Sequence, residues 1–142
     1  MVFLGWFMVT VVGPLLLPVA GIVPFRLLPI GIPVRLMATV KDGQLCWAAV
    51  AMGASSIYEL WQAVQAHGPL PPMSGPLLTL DIPIMLSAMM IAAGGSVFNT
   101  PWPAAGLDRR EWISHYRVFV VSAIMTATTA AIYAYFHFHL SP

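Results

Sequence analysis

Four long apolar segments, separated by short polar or proline-rich stretches, make up most of this chain. They cover residues 2–23, 45–66, 78–98 and 108–138. A helix rises about 1.5 Å per residue, so each segment is long enough to cross a hydrocarbon core of about 30 Å. The pattern predicts an all-α integral membrane protein, a bundle of four transmembrane helices in one domain that covers residues 1–142.

Prolines interrupt the first segment and fill the connection between the second and third. Pro14, Pro18 and Pro24 each remove a backbone donor and crowd the preceding turn, so the first helix is predicted to be kinked. Residues 67–77 contain four prolines and no charged residue, which predicts a stiff, extended hairpin connection. Residues 25–44 hold an apolar run too short to span, and we expect it to lie in the membrane interface.

The cationic side chains set the expected orientation. All six Lys and Arg residues fall in two short stretches, namely Arg26, Arg35 and Lys41, then Arg109, Arg110 and Arg117. Cytoplasmic loops are enriched in Lys and Arg, so these six are predicted to be basic anchors on the cytoplasmic side. Both termini and the proline-rich hairpin then face the outer, periplasmic side of a bacterial inner membrane. Asp108 and Glu111 have the spacing of a capping box at the start of the last helix.

Composition strengthens the membrane interpretation. Hydrophobic residues make up 59% of the chain and charged residues 8%, whereas a soluble domain carries roughly 25% charged residues. Lipid must therefore solvate most of the surface. The single cysteine, Cys46, cannot form a disulfide within the chain and is expected to be a small buried apolar residue. Residues 1–23 lack a preceding basic stretch, so we expect a membrane helix there and not a cleavable signal peptide.

Small residues recur at helical spacing in three of the segments. The three series are Ala49 and Gly53; Ala88, Ala92 and Ser96; and Ala123, Ala127 and Ala131. Such faces let helix backbones approach closely in lipid, so they predict packing within the chain or a face for a partner or a second copy.

A polar stripe crosses the second and fourth segments. Glu59 is a carboxyl group within an apolar segment, which is a functional-site hypothesis by default. The predicted seam consists of Ser55, Glu59 and Gln62 on one helix and Ser122, Thr126, Thr129, Tyr133 and His137 on the other. Tyr133 is the predicted partner of Glu59. The seam serves either to join helices through hydrogen bonds or to bind protons or cations, and we favour the first interpretation.

The sequence contains no arrangement typical of an enzyme, a phosphate loop or a nucleic-acid surface. We therefore expect a non-enzymatic protein with no cofactor and no metal, which contacts the lipid bilayer and either a membrane-protein partner or further copies of itself. A haem or metal site that uses His67 and His137 is a weaker alternative.

Docking of helices against a membrane-inserted partner is the favoured function. In size and predicted helix number the chain is similar to the small four-helix colicin-type immunity proteins. That resemblance implies neutralisation of a pore-forming bacterial toxin by protein–protein interaction. The alternatives are an accessory subunit of a transport or respiratory complex, and a small pore, holin-like protein or transporter subunit that uses Glu59 and the Ser/Thr stripe.

Overall fold

All regular structure in the described part of the chain is helical. The computed structural model describes residues 2–20, 40–67, 70–98, 100–103 and 106–140. Helix α1 (Val2–Phe7) continues through a π-helical turn (Met8–Val12) into α2 (Gly13–Ala20). The helices that follow are α3 (Cys46–His67), α4 (Ser74–Val97), α5 (Arg109–His115) and α6 (Arg117–Leu140). The predicted interfacial stretch, with Arg26 and Arg35, and Pro24 lie outside the described residues.

Two helices have the length and apolar character needed to cross a membrane, namely α4 and α6. Helix α3 has 22 residues but is more polar, because Glu59, Gln62 and Gln65 lie in it. The helical class is therefore confirmed, and the described residues contain two candidate spans. The other two spans stay predictions.

The N-terminal helix widens directly before its first proline. The backbone N–H of Gly13 bonds to the carbonyl of Met8, five residues back, which is the spacing of a π-helix. Pro14 follows and has no N–H to offer, so a regular α-helix would leave a carbonyl of the preceding turn without a partner. The local widening is the way in which this chain accommodates Pro14.

Helix α4 begins earlier than the sequence pattern predicts. The stretch 67–77 was expected to be extended throughout, but the helix starts at Ser74 and includes Pro76. Pro76 is the third residue of the helix, where a backbone N–H has no helical acceptor, so its missing donor costs nothing. A proline-rich sequence therefore does not exclude a helical first turn.

The predicted last helix is divided at one residue. Tyr116 (φ −99°, ψ 30°) separates α5 from α6, and its side chain is buried. The capping box at the start of α5 is confirmed, with the backbone N–H of Asp108 donating to Oε2 of Glu111 at 3.1 Å.

The three long helices alternate in direction. Leu45, directly before α3, bonds to Thr126 of α6, and Glu59 of α3 bonds to His137 of α6, so these two helices run parallel. Helix α4 runs opposite to α3, because Cys46 and Ala49 pack against Ala88 and Ala92, whereas Leu60 near the other end packs near Leu77. We name the end with residues 70–73 and His137 the hairpin end, and the end with residues 40–45 and 100–103 the lysine end.

At the lysine end, helix α4 packs closely against the loop of residues 41–43. Gly43 has a positive φ of 84°, and a side chain there would strike Ile91. A Cβ atom on Gly95 would lie 1.6 Å from the backbone oxygen of Asp42, so α4 can approach this loop only with a glycine at that position. The Lys41-Asp42-Gly43 segment is a turn before α3.

Candidate functional site

Polar side chains of α3 and α6 meet along one seam. At the lysine end, the hydroxyl of Thr126 donates to the carbonyls of Ser122 (2.7 Å) and Leu45 (3.0 Å), so it links the two helices. Ser122 is fully buried and donates to the carbonyl of Phe119. Thr129 is also fully buried, and its hydroxyl has no hydrogen-bond partner.

The central contact of the seam is an acid–base pair at the hairpin end. Nδ1 of His137 lies 2.8 Å from Oε1 of Glu59, and the two side chains are 23% and 22% exposed. An ionised carboxylate only accepts hydrogen bonds, so Nδ1 of His137 is the donor when Glu59 is charged. Oε2 of Glu59 is buried and has no partner. One oxygen of this carboxyl thus binds the imidazole, and the other faces the protein interior.

Aromatic rings cover the pair. Trp6 stacks on His137 with ring centroids 4.5 Å apart and an interplanar angle of 13°. The ring centroids of Tyr133 and Trp6 lie 5.4 Å apart. The hydroxyl of Tyr133 lies beside Glu59 and Ser55. The sequence pattern predicts Tyr133 as the direct partner of Glu59, but the short hydrogen bond is the one to His137. The N-terminal helix therefore closes the site by supplying Trp6.

The two remaining members of the predicted seam bond locally. The hydroxyl of Ser55 donates to the carbonyl of Ala51, one turn earlier in the same helix. Gln62 is exposed and donates to the hydroxyl of Tyr58, so it points away from α6. The three-residue step from Glu59 to Gln62 places them on neighbouring but different parts of the helix surface.

Asp81 on α4 was not included in the predicted seam. The structure buries it completely, with both carboxyl oxygens lacking a hydrogen-bond partner. Ser56 of α3 lies beside it. A carboxyl within an apolar helix is the signal that selected Glu59, and the same signal identifies Asp81.

The small-residue faces divide into two groups. Ala49, Ala88 and Ala92 are fully buried together between α3 and α4, and Gly53 contacts Met85 of α4. Ser96 is exposed and donates to the carbonyl of Ala92. Ala49, Gly53, Ala88 and Ala92 thus serve packing within the chain, whereas Ser96 does not.

The third series borders an open groove. A cavity of about 540 Å³ lies between the N-terminal helix and α6. Its α6 side is formed by Ala123, Thr126, Ala127, Ala130, Ala131 and Ala134, and Phe7, Val11 and Leu45 complete the lining. Thr126 is the one polar lining residue, and its hydroxyl is already bonded to backbone carbonyls.

The predicted basic anchors lie in different surroundings. Arg109, Arg110 and Arg117 are exposed near the start of α6. Lys41 is buried, and its ammonium group binds the Asp42 carboxylate at 2.7 Å and the carbonyl of Thr100. Lys41 thus joins two loops inside the protein.

Asp42 completes this junction. Its Oδ1 accepts the backbone N–H of Thr100 at 2.8 Å. Burial alone would raise the pKa of Asp42, but the hydrogen bonds from Lys41 and Thr100 outweigh burial, and the net pKa lies below the usual value of 3.8.

No known protein family, characterised protein or solved structure matches this chain. Among the described residues, no three His, Cys, Asp or Glu side chains gather in a way that could hold a metal ion. His137 is engaged by Glu59 and Trp6, and the side chain of His67 lies outside the described set. A functional assignment therefore rests on the seam and the groove.

Proposed function

We propose that this chain is an integral protein of a bacterial inner membrane that crosses the bilayer four times, with both termini outside. The alternating directions of α3, α4 and α6 support this arrangement. The described cations support the orientation, because all four lie at the lysine end, and cytoplasmic surfaces are enriched in Lys and Arg. They are Lys41, Arg109, Arg110 and Arg117.

Within that membrane the chain acts by binding and not by catalysis. Its groove between the N-terminal helix and α6 receives one apolar transmembrane helix of another membrane protein. The observation that carries this proposal is the alanine-lined wall of α6, from Ala123 to Ala134. Alanines spaced three and four residues apart let a second helix backbone approach closely in lipid.

The apolar lining of the groove restricts the kind of helix that could occupy it. No charged side chain lines it, and its one hydroxyl is satisfied, so an incoming helix must be apolar on the contacting face. The wall from Ala123 to Ala134 is about 16 Å long at 1.5 Å per residue, which matches three turns of a helix. The concrete partner class that we propose is an inserted pore-forming toxin, which the chain would neutralise.

Site-specific photo-crosslinking in intact cells tests the proposal. A photoreactive residue at Ala127, in the groove, should yield one discrete adduct with a membrane protein, which mass spectrometry identifies. The matched control is the same residue at Ala93, which is exposed on α4 and lies outside the groove. Ala131→Leu should abolish the Ala127 adduct, because its larger side chain fills the groove.

The other outcomes are informative. An adduct with a second copy of the chain would show that the groove is an interface of a homo-oligomer and not a site for a different protein. If the adduct contains a subunit of a transport or respiratory complex, the partner is that complex and not a toxin. Equal labelling from Ala127 and Ala93 would show that lipid, and not a helix, occupies the groove, and would refute docking there.

A further inference from the structure

Asp81 is a buried carboxyl group without a compensating partner. Its side chain is completely inaccessible, and neither carboxyl oxygen accepts a hydrogen bond. It lies seven residues into α4, a candidate membrane span, and therefore about 10 Å from the start of the helix at 1.5 Å per residue. An ionised carboxylate in such a place is very costly unless it is paired.

Two hydroxyl groups from neighbouring helices are buried within the same bundle. Ser56 of α3 is fully buried beside Asp81, and it donates its own proton to the carbonyl of Met52 at 3.0 Å. Thr129 of α6 is fully buried, and its hydroxyl has no partner. Three helices thus each bring one polar side chain to the interior of the bundle.

No basic group offsets a negative charge on Asp81. Lys41 is bound to Asp42 at the lysine end. The titratable groups of the described side chains on the packed helices are Cys46, Tyr58 and Glu59 on α3, and Arg117, Tyr133, Tyr135, His137 and His139 on α6. None of these forms a hydrogen bond with Asp81. A Ca²⁺ ion takes about six to eight oxygen ligands, more than one carboxyl and two hydroxyls provide. A proton needs only one acceptor.

We propose that Asp81, with Ser56 beside it, is an internal proton-binding site that exchanges its proton with the hairpin end through Glu59. Asp81 is a neutral carboxylic acid in the resting protein and donates a hydrogen bond to the hydroxyl oxygen of Ser56. The site goes beyond docking, because the groove does not include any of these residues.

The seam supplies the route. Glu59 lies three residues after Ser56 on α3, and its unpartnered Oε2 faces the interior, while Oε1 binds the partly exposed His137. One proton leaves Asp81, passes through the Ser56 hydroxyl and adds to Glu59, which leaves Asp81 as the carboxylate. Glu59, which is partly exposed, then releases one proton to the solvent at the hairpin end, while the Nδ1–H of His137 stays bonded to Oε1. The reverse sequence restores Asp81, and charge is conserved at every step.

Infrared spectroscopy of the protein in lipid vesicles at neutral pH tests the protonated state. The chain has three aspartates, Asp42, Asp81 and Asp108. Aspartate labelled with carbon-13 at the side-chain carboxyl should shift a carboxylic-acid C=O band of the unmutated protein. Asp81→Asn should remove that band, and Glu59→Gln should retain it. A spectrum with no isotope-sensitive carboxylic-acid band would refute the site, and this measurement needs no variant to fold.

Transfer into D₂O tests the route, because deuteration moves the same band and its rate of movement is measurable. Glu59→Gln keeps a hydrogen-bonding side chain but cannot carry the proton, so exchange should slow by about tenfold or more, because a positioned proton-transfer group is lost. The matched control is His139→Phe, at an exposed histidine two residues from His137 that bonds only to the carbonyl of Tyr135. Unchanged exchange in Glu59→Gln, or equal slowing in His139→Phe, would refute the route.

Discussion

The polar residues along the seam between α3 and α6 make different kinds of contact, although the sequence pattern groups them in one stripe. Thr126 bonds to backbone and joins α3 to α6, whereas Glu59 and His137 form a partly exposed pair that Trp6 covers. The difference follows from the partner that each side chain meets. Backbone carbonyls give a fixed structural link, and a carboxyl facing an imidazole gives a pair that can also exchange a proton.

Substitutions at Glu59 should separate hydrogen bonding from apolar packing. Glu59→Gln keeps an acceptor for His137, so the thermal unfolding midpoint in detergent should stay close to that of the unmutated protein. Glu59→Leu leaves the imidazole without its partner and should cost about 1 kcal/mol. Equal midpoints for the two variants would show that the pair adds nothing to stability.

Asp42 should make stability sensitive to acid. Its pKa is lower in the folded protein than the value of 3.8 for the unfolded chain, so its contribution is complete above that value. The contribution is lost as the pH falls below 3.8 and through the lower folded pKa, so the unfolding midpoint should drop over that acid range. Asp42→Asn should start with a lower midpoint and lose less on acidification, because Lys41 has already lost its charged partner.

The exposed Asp108 provides the control for this measurement. Asn is as good an N-cap residue as Asp, so Asp108→Asn should keep the acid sensitivity of the unmutated protein. An Asp42→Asn curve parallel to that of the unmutated protein would assign the acid sensitivity to other groups.

At the scale of helices, small residues decide how closely two elements approach. The face with Ala49, Ala88 and Ala92 is buried between α3 and α4, whereas the face with Ala127 and Ala131 borders the groove. The sequence spacing is similar in both. Which face is covered depends on where the N-terminal helix lies, and that helix leaves the alanines of α6 open.

Two adjacent glycines of α4 allow a direct test of close approach. Gly95→Ala would place its Cβ 1.6 Å from the oxygen of Asp42, so the backbone must shift, and the loss of stability should be about 2 kcal/mol. Gly94 has no atom within 4 Å of such a Cβ. Gly94→Ala should therefore be neutral or stabilise by about 0.5–1 kcal/mol through the better helix propensity of alanine. Equal unfolding midpoints for the two variants would contradict the contact.

At the scale of the whole molecule, the directions of the helices and the positions of the charges agree. The described cations lie at the lysine end, and the seam with Glu59 and His137 reaches the hairpin end. A bilayer that surrounds the bundle would thus have its basic loops on one side and the acid–base pair near the other.

Reporter fusions distinguish four crossings from two. With four, fusions at Lys41 and Arg109 should read cytoplasmic, and fusions at Met73 and Pro142 should read external. If only α4 and α6 crossed, Lys41 and Met73 would lie on the same side of the membrane. A shared reading at those two positions would therefore overturn the four-span arrangement.

The sequence by itself determined the helical class, the apolar character of α4 and α6, and the capping box at Asp108. These properties depend on residue type and local spacing, which the sequence states directly. It also indicated that Glu59 and the α6 stripe carry the polar chemistry, although it favoured Tyr133 and not His137 as the partner.

Only the tertiary structure decided which side chains meet. The burial of Asp81 depends on its position relative to α3 and α6, and periodicity within α4 does not reveal that position. The early start of α4 shows the same limit, since Pro76 is tolerated only because of its place in the first turn. The groove exists because Trp6 of the N-terminal helix contacts α6 at Tyr133, near the C-terminal end of α6, and leaves the alanines of α6 open. That arrangement depends on packing between segments that are distant in the sequence.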